Sequence, residues 1–132
     1  SFGVPHWAWA RFASPEKGLL PAWSKDRKMA SKLINARSET VTEKPSFRSS
    51  ASKRRAIIPA AGYYEWMKSE AGSKIPYFLR GEDDILAMAG LYELWPDPEL
   101  PEDDPNKWIW TCTVLTRPVI YPSNDIVGTC VK

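Results

Sequence analysis

The sequence predicts an α+β fold occupying one domain, residues 1–132. Three observations predict it. A chain of 132 residues builds one modest core and leaves little room for a second. Its first half carries capping and proline signals for short helices among basic residues. From Arg55 onward, short apolar or alternating runs separated by turn residues take over, which is the pattern of strands. With 43% hydrophobic and 26% charged residues, the composition is that of an ordinary globular protein, neither disordered nor fibrous.

Taken in order, Ser1 to Glu16 is aromatic-rich without helical or strand period, and reads as a loop or a short strand. Gly18 to Trp23 is an apolar run broken by Pro21. Asp26 suits the cap of a short helix with Met29 and Leu33 on one face and Lys25, Lys28 and Lys32 on the other. Pro45, a residue of helix beginnings, predicts a second short helix over Ser46 to Ser52. Strands are expected at Ala56–Pro59, Tyr63–Met67, Ile75–Leu79, Ile85–Leu91 and Trp108–Leu115. Turns fall at Ala71-Gly72-Ser73, at Gly81 to Asp84 and in a solvated acidic loop from Pro96 to Lys107. The order suggests a β-meander preceded by a basic helical insert, with no internal repeat.

Charge is unevenly spread. Residues 1–80 hold fifteen Lys and Arg against six Asp and Glu, whereas residues 81–132 hold three against ten. The net +2 therefore conceals a basic half suited to a polyanion, unless the two halves interleave in the fold and the asymmetry vanishes. Cys112 and Cys130 are the two cysteines, too few for a disulfide framework, and strand contexts make buried structural thiols of them. One histidine and two distant cysteines build no standard metal site, and no glycine-rich phosphate loop is present. No basic leader with an apolar run and no membrane-length stretch is seen, so a cytoplasmic protein without membrane association is expected. Seven tryptophans are many for this length; core packing claims most by default, and some suit a contact surface.

The residues between Leu19 and Trp66 carry the most chemistry. Asn35 and Arg37 stand two apart, so an extended segment puts both on one face. Arg48 follows a proline-started helix, and Glu65 sits among Tyr63, Tyr64 and Trp66. A carboxylate in such surroundings tends towards a raised pKa, useful to a general acid or base. Arginines with an amide side chain suit phosphate and sugar contacts. Trp23 and Trp66 suit stacking on unpaired bases. Each residue has a plainer reading in isolation: Asn35 as a turn residue, Arg37 as a solvated charge, Glu65 as a surface carboxylate and Trp66 as core.

The same residues carry a family resemblance. Asn35-Ala36-Arg37-Ser38-Glu39-Thr40, Lys44-Pro45-Ser46-Phe47-Arg48, Ile57-Ile58-Pro59-Ala60 and Gly62-Tyr63-Tyr64-Glu65-Trp66 occur in that order. Ala89-Gly90-Leu91-Tyr92-Glu93-Leu94-Trp95 follows, with Lys74 to Phe78 and Thr113 to Thr116 as supporting segments. Over roughly residues 18–117 the chain resembles the SOS response-associated peptidase (SRAP) family. The resemblance implies a mixed, bifurcated or barrel-like β-sheet with short flanking helices. It implies binding of single-stranded DNA and covalent capture of abasic sites. In that chemistry an N-terminal cysteine, exposed by self-processing, attacks the open-chain sugar aldehyde with its amine and closes a thiazolidine with its thiol. Carried over by position, Glu65 assists proton transfer and Asn35 positions the sugar. Arg37, Arg48, Trp23, Trp66 and Thr116 become DNA contacts, Arg48 on charge and motif. No cofactor or metal is implied; a monomer is expected, associated with the nucleoid when bound to DNA.

The resemblance departs in two places. Residue 1 is Ser, with no cysteine before Cys112, and the family histidine is missing, His6 being the single histidine. Neither Cys112 nor Cys130 replaces the nucleophile, which needs a free α-amine beside its thiol. Whole segments are lost while the remaining site residues keep their context, which favours an incomplete chain over a degenerate one. The missing parts would be the N-terminal cysteine segment and a stretch after about residue 117. Two alternatives stand beside abasic-site capture: a non-catalytic single-strand-binding module, and a peptidase acting on other proteins.

Overall fold

Sheet pairing follows side-chain demand more than chain order. The computed structural model describes residues 18–81, 85–118 and 129–130. A 3₁₀ helix covers Arg27–Lys32 and one α-helix, α1, covers Arg48–Lys53. The strands are β1 (Asn35–Arg37), β2 (Arg55–Ala60), β3 (Tyr63–Lys68), β4 (Lys74–Leu79), β5 (Leu86–Pro96), β6 (Trp108–Pro118) and β7 (Thr129–Cys130). The expected reading of Ser1 to Glu16 and the turn through Asp84 lie outside the described residues.

The main sheet runs β1-β6-β5-β2, with β7 also pairing β6. Strand β1 lies parallel to β6, while β5 is antiparallel to both β6 and β2. Strand β6 gives one partner to β5 through Val114, then serves β1 at 114–116 and β7 at 117–118. That exchange of partners is the expected bifurcation. The sheet is mixed and does not close into a barrel.

The meander expectation is corrected. Strands β3 and β4 pair only with each other, and β2 skips both to reach β5. The physical cause is burial. Pairing with β5 lets Ile58 of β2 fold over Gly90, where a Cβ would meet Ile58 Cδ1 at 2.3 Å and the Thr113 carbonyl at 2.7 Å. Every residue of β4 is exposed, so that hairpin has no core to join. Its turn from Ser69 to Ser73 needs a left-handed residue, supplied by Gly72 at φ 85°.

One face of the sheet carries the core. Leu91, Glu93 and Trp95 of β5 and Thr111 and Thr113 of β6 point inward, alternating with half-buried neighbours. Leu19, Ala36, Val41, Phe47 and Ala51 pack with Leu91, and Leu20 and Ala30 pack with Trp95. Strand β5 therefore runs past the expected end at Leu91, through Trp95 to Pro96. The sequence hides this because a glutamate occupies an inward position. Its carboxylate accepts from Arg54 Nη2 at 2.7 Å and from Ser50 Oγ at 3.2 Å.

Helix α1 starts at Arg48, after the predicted Ser46, because Phe47 is buried at the helix entrance and donates its backbone N–H to Lys44. The 3₁₀ helix begins as expected: Asp26 caps it by accepting from the Lys28 N–H at 2.8 Å.

Candidate functional site

Three consecutive residues of β1 set the first part of the site. Ala36 is buried in the core, so Asn35 and Arg37 on either side of it are turned to the opposite, open face. Parallel pairing puts Asn35 in register with Val114 and Arg37 in register with Thr116. The ladder continues through Val114 N–H to the Ile34 carbonyl at 3.0 Å and Ser38 N–H to the Thr116 carbonyl at 2.9 Å. Thr116 Oγ1 leans on the Ala36 carbonyl at 3.5 Å, a long contact that leaves the hydroxyl available. Asn35, Arg37 and Thr116 thus share one face of neighbouring strands.

Glu65 lies on β3, in the separate hairpin, in register with Tyr77. Tyr63 and Met67 flank it on its own face; Tyr64, Trp66 and Lys68 take the other. It is half-buried and makes no hydrogen bond or ion pair among the described residues. The sequence placed three aromatics around this glutamate. The strand divides them, leaving Tyr63 beside it and adding Tyr77 from across the hairpin.

Trp66 is 61% exposed and faces away from Glu65, beside the Tyr64–Phe78 ring pair, whose centroids are 5.0 Å apart. Trp23 is 58% exposed in the turn before the 3₁₀ helix. Among the five described tryptophans, Trp95 alone is fully buried. The default that core packing claims most of them is therefore corrected. Arg48, exposed at the first position of α1, and Arg37 have no acidic partner among the described residues.

The expected site residues therefore stand in four places: Asn35, Arg37 and Thr116 on the β1–β6 face; Glu65 and Trp66 on the hairpin; Trp23 in its turn; Arg48 on α1. Only the first group is joined by direct strand pairing. Burial pushes the Cys112 thiol up from its ordinary value, in keeping with a structural cysteine. No cluster of metal-ligating side chains exists among the described residues.

The charge asymmetry does partly vanish. The acidic half supplies the central strands β5 and β6, flanked by β1 and β2 from the basic half. Arg54 pairs with Glu93, and Arg27 with Asp97, across that division. Lys25, Lys28 and Lys32 have no acidic partner among the described residues and stand around Trp23, where the sequence marked only a polar helix face. Their spacing of three and four residues was the available signal.

Comparisons with known proteins give the family and the fold. The chain matches the family described as SOS response associated peptidase (SRAP) over residues 9–126. It is 45% identical over 100 residues to the abasic site processing protein YoqW of Bacillus subtilis (strain 168), covering 75% of this chain and 42% of that one. It is 31% identical over 122 residues to the abasic site processing protein HMCES of Gallus gallus, covering 75% of this chain and 34% of that one. A crystal structure of a protein from Bacteroides thetaiotaomicron superposes with a TM-score of 0.62 at 36% identity, covering 77% of this chain and 44% of the other. A protein from Bordetella bronchiseptica, 24% identical with a TM-score of 0.63, shares the fold over 87% of this chain and 58% of its own. The chain spans less than half the length of the curated relatives it matches.

Proposed function

The chain belongs to the SOS response associated peptidase (SRAP) family, and from that premise we propose that it binds single-stranded DNA and takes part in covalent capture of abasic sites. The observation that carries this reading is the β1–β6 face, where Asn35, Arg37 and Thr116 present an amide, a guanidinium and a hydroxyl on one open surface. Arg37 holds a phosphate, Asn35 orients the opened sugar, and Thr116 donates to the backbone beside it. Two exposed indoles, Trp23 and Trp66, take flanking bases.

Glu65 is the acid–base group. It is half-buried and has no competing partner among the described residues, so its carboxyl is free to exchange a proton with an amine or a sugar oxygen. Attack of an α-amine on the C1′ aldehyde forms a carbinolamine, and loss of water from it gives an imine. Addition of the neighbouring thiol to that imine closes the thiazolidine. Each step moves one proton, which Glu65 relays, and no oxidant is required. The nucleophile is an N-terminal cysteine of the full-length protein, since Cys112 lacks the free amine.

The test is a covalent-adduct assay with the full-length protein and single-stranded oligonucleotides, intact or carrying one abasic site. The expected result is an adduct on denaturing gels with the abasic strand only, formed without borohydride. Arg37→Ala should weaken binding to every sequence and flatten its salt dependence by about 0.7 in log–log slope. An unchanged slope removes Arg37 from the phosphate contacts. Binding without any adduct would leave the non-catalytic single-strand module as the surviving reading.

A further inference from the structure

Glu65 has one neighbour whose chemistry the proton relay leaves unused. Antiparallel pairing of β3 with β4 sets Tyr77 directly opposite it. Residues opposite one another in such a pair point to the same side, with Cβ atoms about 5 Å apart. The next pair along shows that these side chains do meet. The rings of Tyr64 and Phe78, opposite each other on the other face, have centroids 5.0 Å apart.

The Glu65 face of the hairpin holds few polar groups. Met67 and Ile75 lie to one side of the Glu65–Tyr77 pair, and Tyr63 and Leu79 to the other. Lys68 and Lys74 oppose each other on the far face, so no cation of β3 or β4 shares a face with the carboxylate. Two phenols remain as donors. Tyr63 stands two residues along the same strand, about 7 Å away, so Tyr77 is the nearer. Neither Tyr77 nor Glu65 makes a hydrogen bond among the described residues. Tyr77 is 44% exposed, which leaves its ring room to lean towards the carboxylate. A carboxylate has two oxygens. Proton relay engages one with the reacting amine or sugar oxygen, and a donor on the second fixes where the first points.

We propose that Tyr77 is a positioning residue: its hydroxyl donates to one oxygen of the Glu65 carboxylate and holds the other towards the reacting amine and sugar. The inference rests on the reading of Glu65 as the proton relay. Tyr77 itself forms no bond to DNA and takes no proton in the reaction. It acts only through the carboxylate across the hairpin.

The experiment is a double-mutant cycle on single-turnover adduct formation, with full-length protein and a single strand carrying one abasic site. Tyr77→Phe keeps the ring and removes only the hydroxyl. It should slow adduct formation about tenfold and leave affinity for an intact strand unchanged. In a Glu65→Gln background the same substitution should slow nothing further, because the group it orients no longer relays a proton. Tyrosine labelled with carbon-13 at Cζ supplies a readout independent of the reaction. The Tyr77 resonance, assigned by its loss in Tyr77→Phe, should move when Glu65→Gln is introduced.

A Tyr77→Phe loss that persists in full in the Glu65→Gln background would overturn the proposal, since the hydroxyl would then act apart from Glu65. So would an equal fall in intact-strand affinity, which makes Tyr77 a DNA contact or a packing residue. A Tyr77 resonance unmoved by Glu65→Gln removes the contact itself, and a rate loss in Tyr63→Phe with none in Tyr77→Phe hands the role to the other phenol. If Glu65→Gln slows adduct formation and Tyr77→Phe does not, positioning fails and the relay stands. If the Tyr77 resonance answers to Glu65→Gln while adducts form at the parent rate, the contact stands and the relay fails.

Discussion

Gly90 and Glu93 lie three residues apart in β5, and both are fixed by contacts that the sequence does not display. At Gly90 a methyl group would run into the Thr113 backbone as well as the Ile58 side chain, and only the second can move. Gly90→Ala is expected to destabilise the protein by about 1–3 kcal/mol, read by urea unfolding. No measurable change would mean the sheet is looser there than described. Glu93 is nearly enclosed, its side chain 7% exposed, and Arg54 supplies its charge partner while remaining 26% exposed itself. Arg54→Ala should cost about 3 kcal/mol, the low end for breaking a buried pair, because it strands the carboxylate. A Glu93→Leu substitution added to it should recover part of that loss. The Ala-Gly-Leu-Tyr-Glu-Leu-Trp segment was legible as a family marker. That its glycine, glutamate and tryptophan are structural follows only from the pairing of β5 with β2 and β6.

Among the elements, the 3₁₀ helix and the hairpin differ most in how they are held. The helix leans on the Arg27–Asp97 pair, in which the Arg27 guanidinium, then the Glu99 backbone N–H, holds the Asp97 carboxyl below its ordinary value of 3.8. A carboxyl lowered on folding contributes stability above its unfolded value and loses it as pH falls through the folded one. Asp97→Asn keeps the acceptor for the Glu99 N–H and removes the charge. Its melting temperature should therefore lie below the parent's at pH 7, with the gap closing as the pH drops below about 4. A gap constant from pH 7 to pH 2 would sink this account of the helix anchor. Local signals made this helix legible: Asp26 before a basic run, then Met29 and Leu33 at helical spacing. The five principal strands were legible for the same reason. Which strand pairs with which was not, since β2 to β5 and β1 to β6 are long-range choices set by burial, and alternation within a strand cannot name its neighbour.

For the whole molecule, interleaving matters more than net charge. Placing β5 and β6 between β1 and β2 brings Glu93 to Arg54 and Asp97 to Arg27, while Arg37, Arg48, Lys25, Lys28 and Lys32 are among the cations left without an acidic partner among the described residues. The proposed single-strand binding draws on these cations, and its expected outcome is an affinity that weakens steeply with salt. The shared face of Asn35 and Arg37 was legible from spacing, because residues two apart in an extended segment point the same way. The clustering of the lysines around Trp23 was not, because the loop that carries them is held by Trp95 and Asp97 far along the chain.

The central claim is abasic-site capture with Glu65 as the proton relay, and single-turnover adduct formation tests it most directly. Full-length protein in excess is mixed with a single strand carrying one abasic site, and the adduct is followed over time for the parent and for Glu65→Gln, with affinity for an intact strand measured alongside. The account predicts that Glu65→Gln slows adduct formation about a hundredfold or more, within the usual range for an acid–base group, while affinity changes little. Equal loss of rate and affinity, or an unchanged rate, would contradict it.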